Sequence, residues 1–271
     1  MKYPNIISSE PDTVRTYLHK IIRYRYIISP LIKKEFKLKF SQTWLGIGWT
    51  LITPVVTVTL YSFFFGYIFN MPWEESPYIL YVLSGFFCWN LFNQIAVQSG
   101  ITLVNNHEII RKIACPKILL HIAKTTGVSL ELLPLWVLVL AGTFLFQGIT
   151  LKILMMPLII AGLIIFSFSV SLLLSALTII RRDLHHSFPL VMQLGIWFTP
   201  VFYPINIIPD RYKFLLYLNP VSSFIDLFRW SVNIQTQLSP YIYIGLVITF
   251  VTFFVSLYIF KQKEDHIIDY M

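Results

Sequence analysis

Long apolar stretches alternate along this chain with short breaks that are mostly basic. The first stretch covers residues 40–73, has no Asp, Glu, Lys or Arg, and follows a dense block of Lys. At about 1.5 Å of rise per residue, its part from 44 to 70 would form a helix about 40 Å long. A bilayer core is about 30 Å thick, so this pattern predicts a tilted membrane span.

Six membrane spans are predicted from these stretches, at roughly residues 44–70, 78–104, 125–147, 153–180, 184–203 and 240–260. The composition agrees, because only 13% of the residues are charged, whereas a soluble domain carries about 25%. We therefore expect an all-α integral membrane protein with a single transmembrane domain over residues 1–271. Its parts would be a cytoplasmic N-terminal segment (1–43), a six-span bundle (44–260) and a cytoplasmic tail (261–271).

The basic residues are divided unevenly between the breaks. With the spans in this order, 17 of the 21 Lys and Arg residues fall on one side of the membrane. Lys and Arg concentrate in cytoplasmic loops, so both termini are predicted to be cytoplasmic. The first outer loop, residues 71–77, contains Glu74 and Glu75 and no base.

A segment just before the first span, residues 29–41, has the pattern of a helix that lies in the cytoplasmic interface. Ile32, Phe36 and Phe40 recur every four residues and form one apolar stripe, as an interfacial amphipathic helix requires. The lysines on its other sides are Lys33, Lys34, Lys37 and Lys39. An ordinary basic flank that only fixes the topology remains the alternative.

A second segment, residues 203–239, fits neither a span nor a simple loop. It is apolar between its few charges but is interrupted by Pro204, Pro209 and Pro220. Backbone groups at membrane depth need partners, so such a segment must be buried in protein or line a water-filled cavity. We predict two short helices that enter part-way from the outer side, and an ordinary surface loop is the alternative.

Together these features resemble a known family, the membrane subunits of ABC exporters that carry lipid-linked polysaccharides such as O-antigen, capsule and teichoic acid. The likeness covers nearly the whole chain. The residues that carry it are, in the family's order, a basic stretch followed by Leu45-Gly46, Trp49 and Pro54, then Arg181-Arg182-Asp183, TPVFYP (199–204), Ile208-Pro209, Leu218-Asn219-Pro220 and Arg229.

The resemblance implies a homodimer of permeases in the bacterial inner membrane, surrounded by membrane lipids and bound to two separate nucleotide-binding ATPase subunits. ATP and Mg²⁺ would bind to those partners, and this chain would bind no cofactor and no nucleic acid. The substrate would be a polysaccharide linked to a lipid of the undecaprenyl-pyrophosphate type. The family also has re-entrant gate helices before the sixth span. The residues of this chain assigned to the gate are Pro204, Pro209, Asn219, Pro220 and Arg229.

No G-x-x-x-x-G-K-[ST] phosphate-binding motif is present, so the chain has no recognisable means of hydrolysing ATP. If it is a pump, we expect the energy to come from a partner chain. The resemblance places a coupling helix after the second span, and residues 105–112 have the pattern of a short helix, with a cap, an early acid and two late bases. The residues assigned to coupling are Asn106, Glu108, Ile109, Arg111 and Lys112. A loop whose bases only enforce orientation is the alternative.

Aromatic residues make up 17% of the chain and are dense near the predicted outer ends of the first, second and fifth spans. Sugars present apolar C–H faces, on which aromatic rings stack without requiring one glycan sequence. The residues predicted to line a channel are Tyr61, Trp89, Phe92, Trp197 and Tyr203. Belts of Trp and Tyr are general at membrane interfaces, so an interfacial or lipid-facing position is the alternative.

The lysines of the interface segment have two possible ligands. The pyrophosphate of a lipid carrier is anionic, and Lys binds phosphate as a point charge. Anionic lipid headgroups would attract the same lysines, at about 1 kcal/mol each. Both interpretations apply to Lys33, Lys34, Lys37 and Lys39.

Two other ionisable residues bear on function. Glu131 lies about two turns into the third predicted span, and an ionisable group at that depth is a functional candidate by default. Its possible roles are a helix–helix contact, a glycan contact, or pairing with an Arg or His of another span. His121 is assigned to a cytoplasmic loop, and no histidine has convincing metal-ligand spacing. The sequence thus suggests no metal site and no catalytic residue.

Other function classes compete with polysaccharide export. A related ABC exporter of drugs or antibiotics shares the six spans and also lacks catalytic chemistry. A membrane-embedded enzyme of glycan or lipid assembly would need clustered carboxylates or a nucleophile with a base, whereas the acids in these loops are scattered. An ion-coupled transporter often has an inverted repeat, and none is evident in the sequence.

Overall fold

The computed structural model describes residues 14–41, 44–71, 75–106, 110, 115–148, 150–178 and 183–264. Every regular element within these residues is helical, and none is a strand. The helices are α1 (Val14–Tyr24), α2 (Ile28–Phe40), α3 (Trp49–Tyr61), α4 (Tyr78–Gly100), α5 (Thr102–Asn105), α6 (Ile118–Glu131), α7 (Leu133–Phe146), α8 (Met156–Thr178), α9 (Leu184–Gly195), α10 (Asp210–Tyr217), α11 (Pro220–Ser231) and α12 (Ile242–Glu264). A π-helix, Ser62–Ile68, extends α3, and a 3₁₀ turn, Ile196–Phe198, extends α9.

Among the described residues, four helical stretches are long and apolar enough to cross a membrane. They are Gly46–Ile68, Tyr78–Gly100, Leu151–Thr178 and Ile242–Glu264. A fifth results if α6 and α7, which are bent by 40° where they join, count as one span. These five correspond to all the predicted spans except 184–203, where the α-helix ends at Gly195. The count of six spans therefore stays a prediction.

The bend between α6 and α7 has a local cause. α6 ends at Glu131 and α7 begins at Leu133, with Pro134 in its first turn. Proline has no main-chain N–H with which to bond the carbonyl four residues earlier, so the helical ladder is interrupted here. As a result, Glu131 lies at the joint between the two halves of the predicted third span.

α4 forms the centre of the helical bundle, and the first span lies at its edge. α4 packs against α6, α8 and α11, and 72% of its apolar stretch is buried within the chain. The corresponding share for the first span, Gly46–Ile68, is 11%. Large apolar side chains of this span are exposed on the chain, among them Val56, Leu60, Phe63 and Tyr67.

The segment 203–239 contains two short helices, α10 and α11, as the sequence predicted. α11 begins with Pro220, because the first helical position tolerates a missing N–H. Asn219 caps this helix by accepting a hydrogen bond from the main-chain N–H of Val221 at 3.2 Å. α11 packs against α4, α8 and α12, and most of its residues are buried. The alternative of an ordinary surface loop therefore does not hold for this part, and its depth in the membrane stays a prediction.

Candidate functional site

An aromatic cluster, defined as Tyr61, Phe65, Trp197 and Phe202, joins the end of the first span to the segment after α9. The ring centroid of Tyr61 lies 6.2 Å from that of Trp197 and 4.1 Å from that of Phe202. Phe65 stacks on Phe202 at 5.7 Å and lies 6.3 Å from Trp197. Such ring pairs contribute about 0.5–1.5 kcal/mol beyond the area that they bury. Phe202 is buried whereas Trp197 is 48% exposed, so the cluster has an open side.

The five predicted channel residues fall into two groups. Tyr61 and Trp197 belong to the aromatic cluster, and Tyr203 adjoins it, because its hydroxyl donates to the carbonyl of Trp197 at 3.2 Å. Trp89 and Phe92 lie elsewhere, on α4, with ring centroids 5.5 Å apart. Both are buried within the chain, so they support the helical core and are not on the open side of the cluster.

Residues 199–203 form a turn whose carbonyls are bonded mainly by side chains from other elements. The guanidinium of Arg229 donates to two successive carbonyls of this turn, at 2.9 and 3.1 Å. The hydroxyls of Tyr78 and Tyr81 donate to the next two. The four accepting carbonyls belong to Pro200, Val201, Phe202 and Tyr203. Non-helical backbone inside a membrane protein needs such partners, and here α4 and α11 supply them.

Arg229 is completely buried on α11. Besides the carbonyls of the turn, it donates to the carbonyl of Tyr81 at 3.0 Å and approaches the hydroxyl of Ser84 at 3.3 Å. Its guanidinium carbon lies 3.5 Å from the ring centroid of Tyr81. Hydrogen bonds to a charged group contribute about 1.5–3 kcal/mol each, and together they offset the cost of burying the charge. Arg229 thereby joins α4, α11 and the 199–203 turn.

The remaining gate residues lie around this network. Asn219 donates through its side-chain amide to the hydroxyl of Thr199 at 2.9 Å. Tyr217, the last residue of α10, donates to the buried carboxylate of Asp226 on α11. Two prolines, Pro204 and Pro209, lie on either side of a 3₁₀ turn that leads into α10. The predicted gate segment is therefore bonded to the 199–203 turn through Asn219 and Arg229. Within the segment, Tyr217 bonds α10 to α11.

At the opposite end of the bundle, α2 packs along α6 through two ion pairs of opposite polarity. Glu35 of α2 pairs with Lys124 of α6 at 2.7 Å. One turn further along α2, Lys39 pairs with Glu131. The carboxylate of Glu131 is almost completely buried, and a buried charge requires such a partner. Among the roles considered for Glu131, the structure thus shows a helix–helix contact, with a lysine as the partner.

The four lysines of α2 do not share one environment. Lys34 donates to the side-chain carbonyl of Asn106 at 3.4 Å, and Lys39 is held by Glu131. Lys33 and Lys37 are exposed and lie one turn apart, and no ion pair joins them to another described residue. α2 is a helix where the sequence predicted one, and Lys33 and Lys37 are exposed lysines without an ion pair to a described residue.

The predicted coupling segment is described only at its edge. The side chain of Asn106 donates to the carbonyl of Thr102 at 3.0 Å, and its main-chain carbonyl accepts from the N–H of Ile110 at 3.1 Å. Its contact with Lys34 links this edge to α2. The other residues assigned to coupling, Glu108, Ile109, Arg111 and Lys112, lie outside the described residues.

The start of α6 is bonded by the end of α12. The carboxylate of Glu264 accepts hydrogen bonds from the main-chain N–H of Lys117 and from the hydroxyl of Tyr17 on α1. The ammonium of Lys117 donates to the main-chain carbonyl of Glu264 at 2.7 Å. A carboxylate is favourable at the positive end of a helix, so Glu264 stabilises the first turn of α6 from a distant part of the sequence.

Comparison with known proteins finds one family whose match includes both groups of contacts described above. The family model for ABC-2 type transporters matches residues 28–233, about three quarters of the chain. This chain belongs to the ABC-2 type transporter family. The match begins with the first residue of α2 and ends just after α11, so the ABC-2 region includes the two α2–α6 ion pairs, the aromatic cluster and Arg229.

Several curated relatives are similar to this ABC-2 transporter over most of their length. The O-antigen export system permease protein RfbA of Klebsiella pneumoniae is 25% identical over 228 residues, which cover 82% of this chain and 87% of that protein. The protein of the same name in Myxococcus xanthus is 22% identical over 209 residues, with coverages of 76% and 80%. The polysialic acid transport protein KpsM of Escherichia coli is 21% identical over 247 residues, with coverages of 88% and 93%.

Sequence reasoning missed half of the aromatic cluster in this ABC-2 transporter. Phe65 and Phe202 stand in the dense aromatic groups of the sequence but are not singled out there. The spacing of Tyr61 and Phe65, one helical turn apart, was an available signal. No local pattern indicated that Tyr78 and Tyr81 would donate to a turn more than 120 residues away.

The assignment of His121 to a loop is wrong. His121 lies within α6 of the ABC-2 transporter, fully buried, with its ring centroid 5.2 Å from that of Phe260. The reason is that α6 begins at Ile118, seven residues before the predicted start of the third span. Lys124 is also helical, and it is neutralised by Glu35.

Proposed function

We propose that this chain is the membrane-spanning subunit of an ATP-driven exporter, which moves a lipid-linked polysaccharide from the cytoplasmic to the outer face of a bacterial inner membrane. The observation that carries the proposal is the ABC-2 family match, together with relatives named for O-antigen export and polysialic acid transport. These names share one substrate class, a long glycan. Both termini would lie in the cytoplasm, as the distribution of Lys and Arg favours.

ATP would be hydrolysed by two separate nucleotide-binding subunits, which would also hold Mg²⁺. The lack of a phosphate-binding motif in this sequence supports that division of labour. The movement of these subunits would reach the chain at residues 105–112. The contact between Asn106 and Lys34 supports this route, because it joins the edge of that segment to α2, and α2 leads directly towards the first span.

Two copies of the chain would enclose the transport path. The first span supports this arrangement, because only 11% of its apolar stretch is buried within one protomer. A second copy packed against this span would cover side chains such as Leu60 and Phe63, which are half exposed in the protomer. The aromatic cluster includes Tyr61 of the same span, so the dimer would place two such clusters beside one path.

The glycan would stack on the open side of the aromatic cluster. Tyr61, Trp197 and Tyr203 are the predicted channel residues that lie there, and Trp197 offers the exposed ring face. Stacking on the apolar C–H face of a pyranose ring requires no particular sugar sequence, which suits a long chain passing through step by step. Trp89 and Phe92 would stiffen the wall from within the protomer.

The lipid-linked end of the substrate would meet α2. Lys33 and Lys37 are exposed and one turn apart, so they could contact neighbouring phosphates at the interface. Lys34 and Lys39 bond Asn106 and Glu131 within the protein, and would hold α2 in place. The structure of α2 thus supports a division between ligand-binding and anchoring lysines.

Purification with its co-encoded nucleotide-binding protein provides the test. The complex is expected to hydrolyse ATP, whereas this chain alone should not. A strain without this chain should keep its polysaccharide inside the cell, and the intact chain should restore the surface glycan. ATP-independent export by the purified chain, or normal surface glycan in the deletion strain, would contradict the proposal.

A further inference from the structure

The aromatic cluster is held in place by residues that do not belong to it. Trp197 precedes the 199–203 turn and Phe202 lies within it, so the shape of this turn determines where both rings lie. Within the turn itself, the short contact between the N–H of Val201 and the carbonyl of Thr199, at 2.7 Å, is the only main-chain bond among its described residues. Four of the five carbonyls bond instead to side chains of α4 and α11.

Arg229 has no access to a ligand. It is fully buried, and a Cβ added at Gly85 of α4 would lie 2.5 Å from its guanidinium. The same Cβ would lie 3.1 Å from the Cα of Val201, so α4, the turn and the guanidinium meet with no free space. The charge of Arg229 is therefore directed at the protein main chain and not at the phosphates of a substrate.

We propose that Arg229, Tyr78 and Tyr81 are positioning residues for glycan transport: they hold the 199–203 turn so that the buried ring of Phe202 supports the exposed ring of Trp197 as a stacking surface for sugar. This inference rests on the proposed function in polysaccharide export. They act by fixing the conformation of the turn, because their donors, from two helices, bond consecutive carbonyls. None of the three needs to touch the glycan.

A two-step path of hydrogen bonds connects α4 to the exposed ring. Tyr81 donates to the carbonyl of Tyr203 at 2.9 Å, and the hydroxyl of Tyr203 donates to the carbonyl of Trp197 at 3.2 Å. Loss of the Tyr81 hydroxyl would release Tyr203 and, through it, the main chain at Trp197. The Tyr81 ring would still pack beneath the guanidinium of Arg229.

Tyrosine-to-phenylalanine variants test this with little change in shape. Tyr78→Phe and Tyr81→Phe each remove one donor to the turn, and Tyr243→Phe removes an exposed hydroxyl from α12 as the matched control. In a deletion strain that produces each variant at the wild-type level, export should fall about five-fold for each of the first two, as expected for the loss of one hydrogen bond. The control should export at the wild-type rate.

Replacing Arg229 tests whether transport depends on the hydrogen bonds of its guanidinium or only on its positive charge. Lysine keeps the charge but lacks the planar, multi-donor group that reaches four acceptors, so Arg229→Lys should lose export as fully as Arg229→Met. Export by Arg229→Lys at the wild-type rate would show that charge is sufficient and would overturn the proposal. Because either variant could fail to fold, the two Tyr→Phe variants provide an independent test.

Fluorescence provides a readout of ring position that does not depend on transport. Subtracting the emission of a Trp197→Phe partner from that of each variant isolates the Trp197 signal. We expect its quenching by acrylamide to change in Tyr81→Phe and to match the wild type in Tyr243→Phe. Unchanged quenching and export in both Tyr78→Phe and Tyr81→Phe would overturn the positioning role, whereas a wild-type complex that exports no polysaccharide would instead overturn the proposed function.

Discussion

Lys39, in the last turn of α2, forms an ion pair with Glu131 at the point where α6 ends and the chain bends by 40° into α7. The pair joins the helix before the first span to the joint of the broken third span. A second pair, Glu35 with Lys124, repeats the contact with reversed polarity. Because the two helices are joined at two points with opposite charges, α2 has a fixed register along α6.

This arrangement predicts that reversing the charge of Lys39 or Glu131 alone destabilises the protein, whereas reversing both charges together destabilises it much less. Breaking a fully buried ion pair lowers the free energy of unfolding by about 3–5 kcal/mol. Because Lys39 is 38% exposed, each single reversal, Lys39→Glu or Glu131→Lys, should lower it by only about 1–3 kcal/mol. The double reversal should recover most of the loss, as measured by unfolding in mixed detergent micelles.

An exposed ion pair provides the control for this experiment. Lys213 pairs with Asp210 at 2.6 Å, and Asp210 is 91% exposed. Exposed pairs contribute about 0–1 kcal/mol, so reversing either charge there should change stability very little. If the double reversal at residues 39 and 131 were no more stable than the single variants, the two side chains would not form the contact described.

A close contact between α11 and α12 predicts that adding one methyl group destabilises the protein at Gly245 but not at Gly127. A Cβ at Gly245 would lie 2.2 Å from the hydroxyl of Ser223 and 3.0 Å from the Cα of Pro220. Gly245→Ala should therefore destabilise the protein by about 1–3 kcal/mol, the usual cost of overpacking. Gly127→Ala in α6 meets no atom within 4 Å and should be neutral or stabilising by up to about 1 kcal/mol.

Thermal unfolding of the purified protein compares these two glycine variants directly. Because α11 also contains Arg229, a displaced α11 should lower export along with stability in Gly245→Ala. Equal melting temperatures for both variants would mean that α11 and α12 are further apart than the structure shows.

The aromatic cluster predicts different outcomes for two neighbouring rings. Trp197→Ala removes ring contacts to Tyr61, Phe65 and Phe202, and should reduce export several-fold while insertion and amount stay normal. Phe198 is adjacent in the same 3₁₀ turn and 75% exposed, so Phe198→Ala should export at nearly the wild-type rate. Surface glycan measured in a deletion strain distinguishes the two, and equal export by both would argue against a role for the cluster.

The orientation proposed for the termini is open to a labelling test. In a variant without Cys88 and Cys115, a cysteine at the exposed Gln237 should react with a membrane-impermeant maleimide on intact spheroplasts. A cysteine at Lys33 should react only after permeabilisation. The reverse result would invert the topology.

The parts of the fold that the sequence predicted depend on local signals. Spans follow from runs without charge, and the two short helices follow from prolines that restrict where a helix begins. Pro220 is an example, because it is one of the prolines that interrupt this segment in the sequence and α11 begins at it in the structure. Within the predicted span at 184–203, the apolar run does not reveal that the α-helix ends at Gly195.

The parts that the sequence did not predict depend on contacts between distant residues. Arg229 bonds α4 residues more than 140 positions earlier, and no local pattern encodes that pairing. Glu131 was recognised as a charge at depth, but its partner Lys39 was assigned to lipid or pyrophosphate along with its three neighbours. Only the packing of α2 on α6 separates Lys39 from Lys33.

The bonding of Glu264 to Lys117 and Tyr17 has a consequence for how the chain is made. The first turn of α6 receives its carboxylate from a residue near the end of the chain, 147 positions later. During synthesis, α1 and α6 must therefore wait for α12 to leave the ribosome and enter the bilayer before their ends are tied together. The contacts of Tyr17 and Lys117 with Glu264 therefore form only after more than a hundred further residues have been synthesised.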